Sequence, residues 1–358
     1  MTIMDLMDWI WLIIIFVFAA GATALLTWFL SKFFLKKGIY GLDVHKKERP
    51  KVAEMGGVGI VIVLIVVLIS CIFIFPDYWQ FFTVSAIVIL LVGLIGIWDD
   101  LKALGAITKP FLLLLPSIPL LIWQLVANPT FEKTGLLLFN PRPFLPLIGS
   151  ITITIVYWLL VPFAITVLSN ATNMLDVMNG STPVTMLFVT GSALISTIVL
   201  GVQQKTVIDT FPGVVLSVLL FACLFAFYWF NRYPAKIFCG DTGSLTIGAM
   251  IALVAIFGRI EIIVIVAMMP QIMNSFQILS SIKGLRERRQ IKERPTIVHD
   301  DTEEISANPH KKAPLTLTRW LVAKQPMREH EIVVAMGVTS FISSLLALAT
   351  LGLIYLSL

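Results

Sequence analysis

The sequence predicts an all-α polytopic membrane protein with about ten transmembrane helices, and three observations predict this class. The chain has 358 residues, of which only 13% are charged, whereas a soluble domain carries about 25%. Hydrophobic residues make up 58%, and the mean hydropathy is +0.93. Apolar runs long enough to cross a hydrocarbon core of about 30 Å recur along the chain. They lack the alternation typical of membrane strands, so helices are expected.

The apolar runs define ten candidate spans. The first begins near Trp9 without the basic segment and cleavage site of a signal peptide, so we expect it to be retained. In chain order the spans are 9–34, 57–75, 81–98, 110–127, 150–169, 182–201, 212–230, 243–257, 260–282 and 332–356.

Lys and Arg residues orient these spans. All but four of the 26 fall in alternate connections, starting with residues 31–56 and ending with residues 283–331. Because cytoplasmic connections carry an excess of Lys and Arg, these connections are predicted to be cytoplasmic and both termini to lie on the outer face.

Four polar stretches interrupt the apolar sequence, and all fall in connections or helix ends predicted to be cytoplasmic. They are Asp99-Asp100, the stretch 170–180, the stretch 238–244 and the basic loop 283–294. Apart from the basic loop, these stretches were not used to derive the orientation. Their convergence therefore predicts a single active site at the cytoplasmic face.

The stretch 170–180 repeats a polar residue at every third position: Asn170, Asn173, Asp176 and Asn179. On a helix this spacing keeps all four near one face. A single Asn could serve as polar contact between membrane helices, but four such groups indicate a ligand. Their amides and carboxylate could bind a metal or a nucleobase edge.

Asp99 and Asp100 end the third span, at the negative end of the helix dipole. A divalent cation, or Lys102 and Lys109, is therefore expected to compensate them. The alternative is a pair of interfacial charges in water.

Asp241 follows Gly240 at the predicted start of the eighth span, with Asp241 or Thr242 as its N-cap. A plain helix cap is one interpretation. The other is a metal ligand, because Mg²⁺ typically binds through one or two carboxylates plus substrate phosphates.

The basic loop holds five Arg or Lys residues: Arg286, Arg288, Arg289, Lys292 and Arg294. They could contact anionic lipid, or they could clamp phosphate and sugar hydroxyls, since guanidinium presents a fork of donors. The predicted site at the membrane–water interface thus combines acids for a metal, basic groups for phosphates and amides for a nucleobase. They indicate an enzyme that joins a soluble phosphate compound to a membrane-embedded one. An ion-coupled transporter stays open, although transporters place polar groups near the bilayer midplane.

These motifs resemble the polyprenyl-phosphate N-acetylhexosamine-1-phosphate transferase family, and most closely its archaeal and eukaryotic branch, the UDP-GlcNAc–dolichyl-phosphate GlcNAc-1-phosphotransferases. The matching patterns are the Asn-Ala-x-Asn of 170–173, Gly240-Asp241, the acidic pair and the lysine after it. Pro270, Gln271 and Asn274 in the ninth span also resemble that branch.

The resemblance implies roles for individual residues. Asp99 and Asp100 would be catalytic, and Asn173 and Asp241 would bind Mg²⁺ or Mn²⁺. The implied substrate-binding residues are Lys109, Asn170, Asp176, Asn179, Gly180, Arg288, Arg289, Lys292 and Arg294.

The implied reaction transfers GlcNAc-1-phosphate from UDP-GlcNAc to a polyprenyl (dolichyl) phosphate and releases UMP, the first step of lipid-linked oligosaccharide assembly for N-glycosylation. The whole chain, 1–358, would be one transferase domain, with the cytoplasmic loop 283–331 contributing to sugar-nucleotide binding. It would lie in an archaeal cell membrane or a eukaryotic ER membrane. No nucleic acid partner is expected, and a homodimer stays open.

Two departures keep an alternative donor open. Asp176 is more like the bacterial branch, and the basic loop does not match the eukaryotic pattern residue by residue. The alternative is an enzyme of the same fold that uses another UDP-sugar, such as a cell-wall precursor.

Overall fold

The computed structural model describes residues 4–127, 144–145, 149–150, 154–202, 210–286 and 290–357. Within these ranges the chain is mostly helical, as predicted for an all-α membrane protein. The helices described are α1 (Leu6–Lys37), α2 (Gly57–Ile74), α3 (Trp79–Leu101), α4 (Thr108–Leu112), α5 (Ile118–Ala127), α6 (Thr154–Leu175), α7 (Ser181–Val202), α8 (Phe211–Asn231), α9 (Gly240–Gly258), α10 (Glu261–Ala267), α11 (Met269–Ser281), α12 (Leu317–Leu321) and α13 (Glu329–Ser357). The strands described are β1 (Tyr40–Leu42), β2 (Lys51–Ala53), β3 (Phe144–Leu145), β4 (Gly149–Ser150), β5 (Thr296–His299), β6 (Glu304–Ala307) and β7 (Met327–Arg328).

Seven helical spans in the described ranges are long and apolar enough to cross a membrane, or eight if α10 and α11 form one bent span. The two helices of that pair meet at 67°. Pro270 lies in the first turn of α11, where a missing N–H is tolerated, and it cannot continue the helix before it. The predicted fourth and fifth spans overlap the shorter apolar helices Thr108–Trp123 and Leu160–Leu175. Neither the count of ten spans nor their orientation is confirmed, and both stay predictions.

The outer helices expose large apolar side chains along their length. Ile13, Val17 and Leu25 on α1, and Val338 and Leu346 on α13, are all more than 45% exposed. Such extensive apolar surface is unusual on a monomeric protein in water. It suits contact with lipid acyl chains.

Helix α9 is the centre of the bundle and is almost completely buried. It contacts α2, α3, α6, α7, α8 and α10. Glycines allow close approaches at its start: a Cβ at Gly57 would overlap the backbone of Gly243, and one at Gly96 would overlap Thr242. Small residues at such crossings let helix backbones pack closely. They bring the end of α3, with its acidic pair, against the start of α9.

The segment between α1 and α2 is pinned to the residues before α9. Strands β1 and β2 pair antiparallel, with Tyr40 opposite Ala53, and enclose the loop 43–50. The Phe238 amide donates to the Ala53 carbonyl at 2.8 Å, and the Gly56 amide donates to the Phe238 carbonyl at 2.9 Å. These bonds place the loop 43–50 over the start of α9.

The segment before α13 folds over the same end of the bundle. Strands β5, β6 and β7 form an antiparallel sheet, and β7 leads directly into α13 at Glu329. A small apolar core joins this sheet to the end of α6 and the start of α13. It consists of Leu175, Met178, Ile305, Val322, Ile332, Val333 and Met336.

Candidate active site

A cavity of about 460 Å³ opens where these segments meet. Its wall is strongly acidic and combines three of the predicted polar stretches with residues of the loop 43–50. The carboxylate residues lining it are Asp43, Glu54, Asp99, Asp100, Asp176 and Asp241, and its other polar side chains include His45, Asn173, Asn179, Asn231 and Cys239.

Three oxygen atoms from three different helices converge on one cation at this cavity. The ammonium nitrogen of Lys109, on α4, lies 2.7 Å from Oδ2 of Asp99 and 3.3 Å from Oδ2 of Asp241. It donates to Oδ1 of Asn173 at 2.9 Å. Lys109 is the positive group that the acidic end of α3 was predicted to require.

The same oxygens fit a divalent cation. Carboxylate and amide oxygens are the ligands that Mg²⁺ prefers, and here the ammonium marks the point on which they converge. The Asn173 amide nitrogen donates to Asp241 Oδ1 at 2.5 Å and to the Ser244 hydroxyl at 2.9 Å, which turns its oxygen toward the cation. Asn173 and Asp241, the two residues predicted as metal ligands, therefore lie in one donor set with Asp99.

Asp100 points elsewhere. Its carboxylate accepts from the backbone amides of Asp241 at 2.7 Å and Thr242 at 3.0 Å, and from the Thr242 hydroxyl at 2.6 Å. It thus caps α9 from another helix and meets the positive end of its dipole. The prediction of Asp241 or Thr242 as N-cap is wrong, because α9 begins at Gly240 and its N-cap residue, Cys239, makes no side-chain cap bond.

The polar stretch 170–180 is helical only in part. Helix α6 ends at Leu175, so the expectation of one continuous helical face through Asp176 and Asn179 is wrong. Asp, Asn and Gly residues after a helix favour local turns, and Gly180 adopts a φ of +87°. Asp176 and Asn179 still line the cavity, but the Asn170 amide donates to the carbonyl of Thr166 at 2.8 Å and is not among the lining residues.

Two carboxyls outside the spans have altered acidity. Burial, followed by the charges of Asp241 and Asp100, raises the pKa of Asp176 to about 7, against an opposing bond from the Thr182 hydroxyl at 2.8 Å. Burial, followed by the charge of Asp241, raises the pKa of Glu54. Mutual repulsion of these carboxyl groups contributes to both shifts, and a cationic ligand would relieve it.

The predicted basic clamp is only partly described. Lys292 and Arg294 are exposed in the segment before β5 and are not among the cavity-lining residues, while Arg288 and Arg289 lie outside the described residues. Asn274 has a structural position: its amide donates to the Met174 carbonyl at 3.1 Å, and its oxygen accepts from the Leu317 amide at 2.8 Å.

Three acids at this end of the bundle were missed by the sequence interpretation: Asp43, Glu54 and Glu329. Asp43 and Glu54 are single acids among basic or apolar neighbours, Glu329 is followed only by Glu331, and none of the three belongs to a repeating pattern. Ligand atoms of Asp43, His45 and Glu329 lie within 4.8 Å of one another, close enough for a metal. However, the Lys46 ammonium already lies 2.7 Å from Asp43.

Known proteins resemble this chain over half of its length or more. The family model described as glycosyl transferase family 4 matches residues 81–259, half of the chain. A provisionally named glycosyltransferase of Methanocaldococcus jannaschii is 29% identical over 89% of this chain and 93% of its own. A provisionally named UDP-N-acetylglucosamine–dolichyl-phosphate N-acetylglucosaminephosphotransferase of Saccharolobus solfataricus is 30% identical over 62% of this chain and 64% of its own. A phospho-N-acetylmuramoyl-pentapeptide-transferase of Streptococcus thermophilus is 31% identical over 65% and 68%, respectively.

Proposed function

Because this chain belongs to glycosyl transferase family 4, we propose that it transfers GlcNAc-1-phosphate from UDP-GlcNAc to a membrane-embedded polyprenyl phosphate, such as dolichyl phosphate. Family membership supports a membrane phosphoglycosyl transferase and disfavours the transporter alternative. The names of the archaeal relatives support the choice of UDP-GlcNAc and dolichyl phosphate.

One observation carries the proposal: oxygens of Asp99, Asn173 and Asp241, three residues that line a cavity with six carboxylate residues in its wall, converge on the Lys109 ammonium. A sugar nucleotide diphosphate is itself an anion, and alone it would be repelled by this wall. It becomes complementary when a divalent cation enters with it, so the acidic wall supports a metal-dependent reaction on a diphosphate.

In the proposed reaction an oxygen of the polyprenyl phosphate forms a bond to the β-phosphorus of UDP-GlcNAc. The bond from that phosphorus to the bridging oxygen breaks, and UMP leaves with the bond's electron pair. The lipid phosphate is already largely ionised at neutral pH, so no strong base is required. A metal held by Asn173 and Asp241 would neutralise charge on the diphosphate oxygens.

The chain's own residues divide the remaining work. Lys109 is the ammonium at this centre and would bind a phosphate oxygen. Asp99 holds that ammonium at 2.7 Å and would orient it toward the phosphates, while Asp100 fixes the start of α9. Asn179 and Gly180 would contact the base.

Transfer of label tests the proposal directly. Membranes containing the protein are incubated with dolichyl phosphate, Mg²⁺ and UDP-GlcNAc labelled in the sugar, and the lipid extract is counted. We expect label in the lipid extract, release of UMP, and loss of both in Asp241→Asn. Asp301→Asn is the matched control, because Asp301 is almost fully exposed in the last loop. Label that accumulates only inside vesicles would instead indicate transport.

Specific observations support a second candidate for the sugar donor. The chain resembles phospho-N-acetylmuramoyl-pentapeptide-transferases as closely as its archaeal relatives, and it carries Asp176, which is more typical of the bacterial branch. Comparison of kcat/KM for UDP-GlcNAc, UDP-GalNAc and UDP-MurNAc-pentapeptide separates the candidates. We expect UDP-GlcNAc to react best. If the muramyl donor reacts best, the donor assignment is wrong, although the phosphotransfer chemistry stands.

A further inference from the structure

Asn179 is held at the inner wall of the cavity by two buried acids. Its backbone amide donates to Oε1 of Glu329 at 2.8 Å. Its side-chain nitrogen donates to Oδ2 of Asp43 at 2.9 Å and, more weakly, approaches Oε2 of Glu329 at 3.5 Å. Asp43 and Glu329 are 2% and 3% exposed, and they come from the loop 43–50 and from the first residue of α13.

These contacts determine which way the Asn179 amide faces. An ionised carboxylate can only accept hydrogen bonds, so both acids require the NH₂ side of the amide. The reversed amide would place its carbonyl oxygen against two carboxylates. Among the described residues, no donor reaches Oδ1 of Asn179. That oxygen is the polar atom of the side chain left for a ligand, and it can only accept.

Basic side chains also lie beside both acids. The Lys46 ammonium lies 2.7 Å from Oδ2 of Asp43 and also faces the Tyr233 ring at 4.6 Å. Nδ1 of His45 lies 3.7 Å from Oε1 of Glu329. Asp43 and Glu329 thus form a polar clamp around Asn179, with Lys46 as a further partner of Asp43. This arrangement does not require a metal.

The backbone around Asn179 is equally constrained. The amide of Gly180 donates to Oδ1 of Asn231 at 3.1 Å, and the Asn231 side chain donates in turn to the Ile237 carbonyl at 2.9 Å. Met178 belongs to the small apolar core that joins the end of α6 to the start of α13. Because the backbone is fixed on both sides, rotation of the side-chain amide is the remaining freedom, and the two acids restrict it.

We propose that Glu329 and Asp43 are positioning residues that hold the Asn179 amide with its oxygen toward N3 of the donor's nucleobase, and so select a pyrimidine that carries a hydrogen on that ring nitrogen. Uracil carries a hydrogen on N3, whereas N3 of cytosine is an acceptor. The inference rests on the proposed function, in which Asn179 contacts the base of the sugar nucleotide. Its new content is that the base preference depends on two acids that need not touch the base.

Binding of nucleoside monophosphates tests this on the intact protein. Calorimetry with Mg²⁺ would compare UMP, CMP and N3-methyl-UMP, which lacks the N3 hydrogen. For the wild type we expect UMP to bind at least about tenfold more tightly than the other two, since a wrong partner leaves a buried polar atom unpaired. Equal affinity for all three would overturn the proposal without any mutation.

The variant Glu329→Gln then tests the positioning role. Glutamine is nearly isosteric but can donate, so it tolerates the reversed amide, and the UMP:CMP affinity ratio should fall by about fivefold to tenfold. Asp43→Asn should lower the same ratio. Glu331→Gln is the matched control, because Glu331 lies two residues further on α13 and its exposed carboxylate accepts from the Arg328 amide at 2.8 Å. In this variant the UMP:CMP affinity ratio should not change.

A merely structural role would lower Tm and weaken both nucleotides equally. An unchanged ratio in a folded Glu329→Gln protein would therefore overturn the proposal. The transfer assay with labelled UDP-GlcNAc is independent of this readout. Transfer without base discrimination refutes the positioning inference alone, whereas absence of transfer with every UDP-sugar refutes the proposed function.

Discussion

Asp99 and Asp100 are adjacent in sequence, but we expect replacement of Asp100 mainly to lower stability and replacement of Asp99 mainly to lower kcat. Asp100 accepts three hydrogen bonds at the start of α9, two of them from backbone amides. In Asp100→Asn one acceptor oxygen remains, and the new NH₂ group faces N–H donors. Hydrogen bonds to a charged group contribute about 1.5–3 kcal/mol each, so losing one or two should cost roughly 2–4 kcal/mol of stability.

Asp99→Asn should behave differently. The Lys109 ammonium retains contacts with Asn173 and Asp241, so Tm should fall less, while the amide placed beside the ammonium should lower kcat strongly. The assay pairs thermal unfolding in detergent with transfer of labelled sugar phosphate. For Asp100→Asn we expect a fall in Tm of roughly 3–5 °C.

The exposed Asp301→Asn is the control for the substitution itself. An unchanged Tm in Asp100→Asn, together with a loss of kcat equal to that of Asp99→Asn, would refute the assignment of Asp100 as a helix cap. It would return both acids to the chemistry of the cavity.

Four further perturbations test other parts of the structure. Removal of divalent cations with EDTA should abolish transfer, and Mg²⁺ or Mn²⁺ should restore it; a metal-independent rate would contradict the metal site. Lys109→Gln should lower kcat by about 10²–10³ even at saturating metal. Gly57→Leu should lower Tm sharply because its side chain would overlap Gly243, whereas Gly21→Leu on α1, with open space around it, should not; equal Tm values would contradict the close packing. Burial raises the pKa of Asp176 to about 7, so the folded protein binds this proton more tightly than the unfolded chain. Its stabilising effect is therefore present at low pH and is lost as pH rises through about 7. Asp176→Asn should flatten that loss in Tm measured from pH 5 to 8 without metal, and an unchanged slope would contradict the burial of this carboxyl.

Composition and motif order were sufficient for the class and the family. Low charge and long apolar runs predicted a helical membrane protein, and the structure describes seven membrane-length spans. The motif resemblance to polyprenyl-phosphate sugar-phosphate transferases is confirmed by the family match. Asp99, Asn173 and Asp241 were singled out from three separate stretches, and the structure places all three beside Lys109.

The rest depended on contacts that no local pattern reveals. Asp100 caps a helix 140 or so residues further along the chain, so a search for an N-cap next to Gly240 could not find it. The three-residue polar spacing was extended past Leu175, although Asp and Gly residues there favour a turn. Glu329 was missed because a single acid at the start of an apolar span looks like an ordinary interfacial charge, and only the fold brings it to Asn179.

The position of α9 also has a consequence for how the protein is made. It is the least apolar of the seven spans and has almost no surface facing lipid. Without its neighbouring helices it would therefore be poorly stabilised in a bilayer. Of the six helices that it contacts, only α10 comes later in the chain. The five earlier helices that contact α9 can therefore be inserted before α9 leaves the ribosome. The order of synthesis thus supplies a scaffold for the segment that carries Asp241. A circular permutation that moved α9 to the N-terminus would keep every native contact but remove that scaffold during translation.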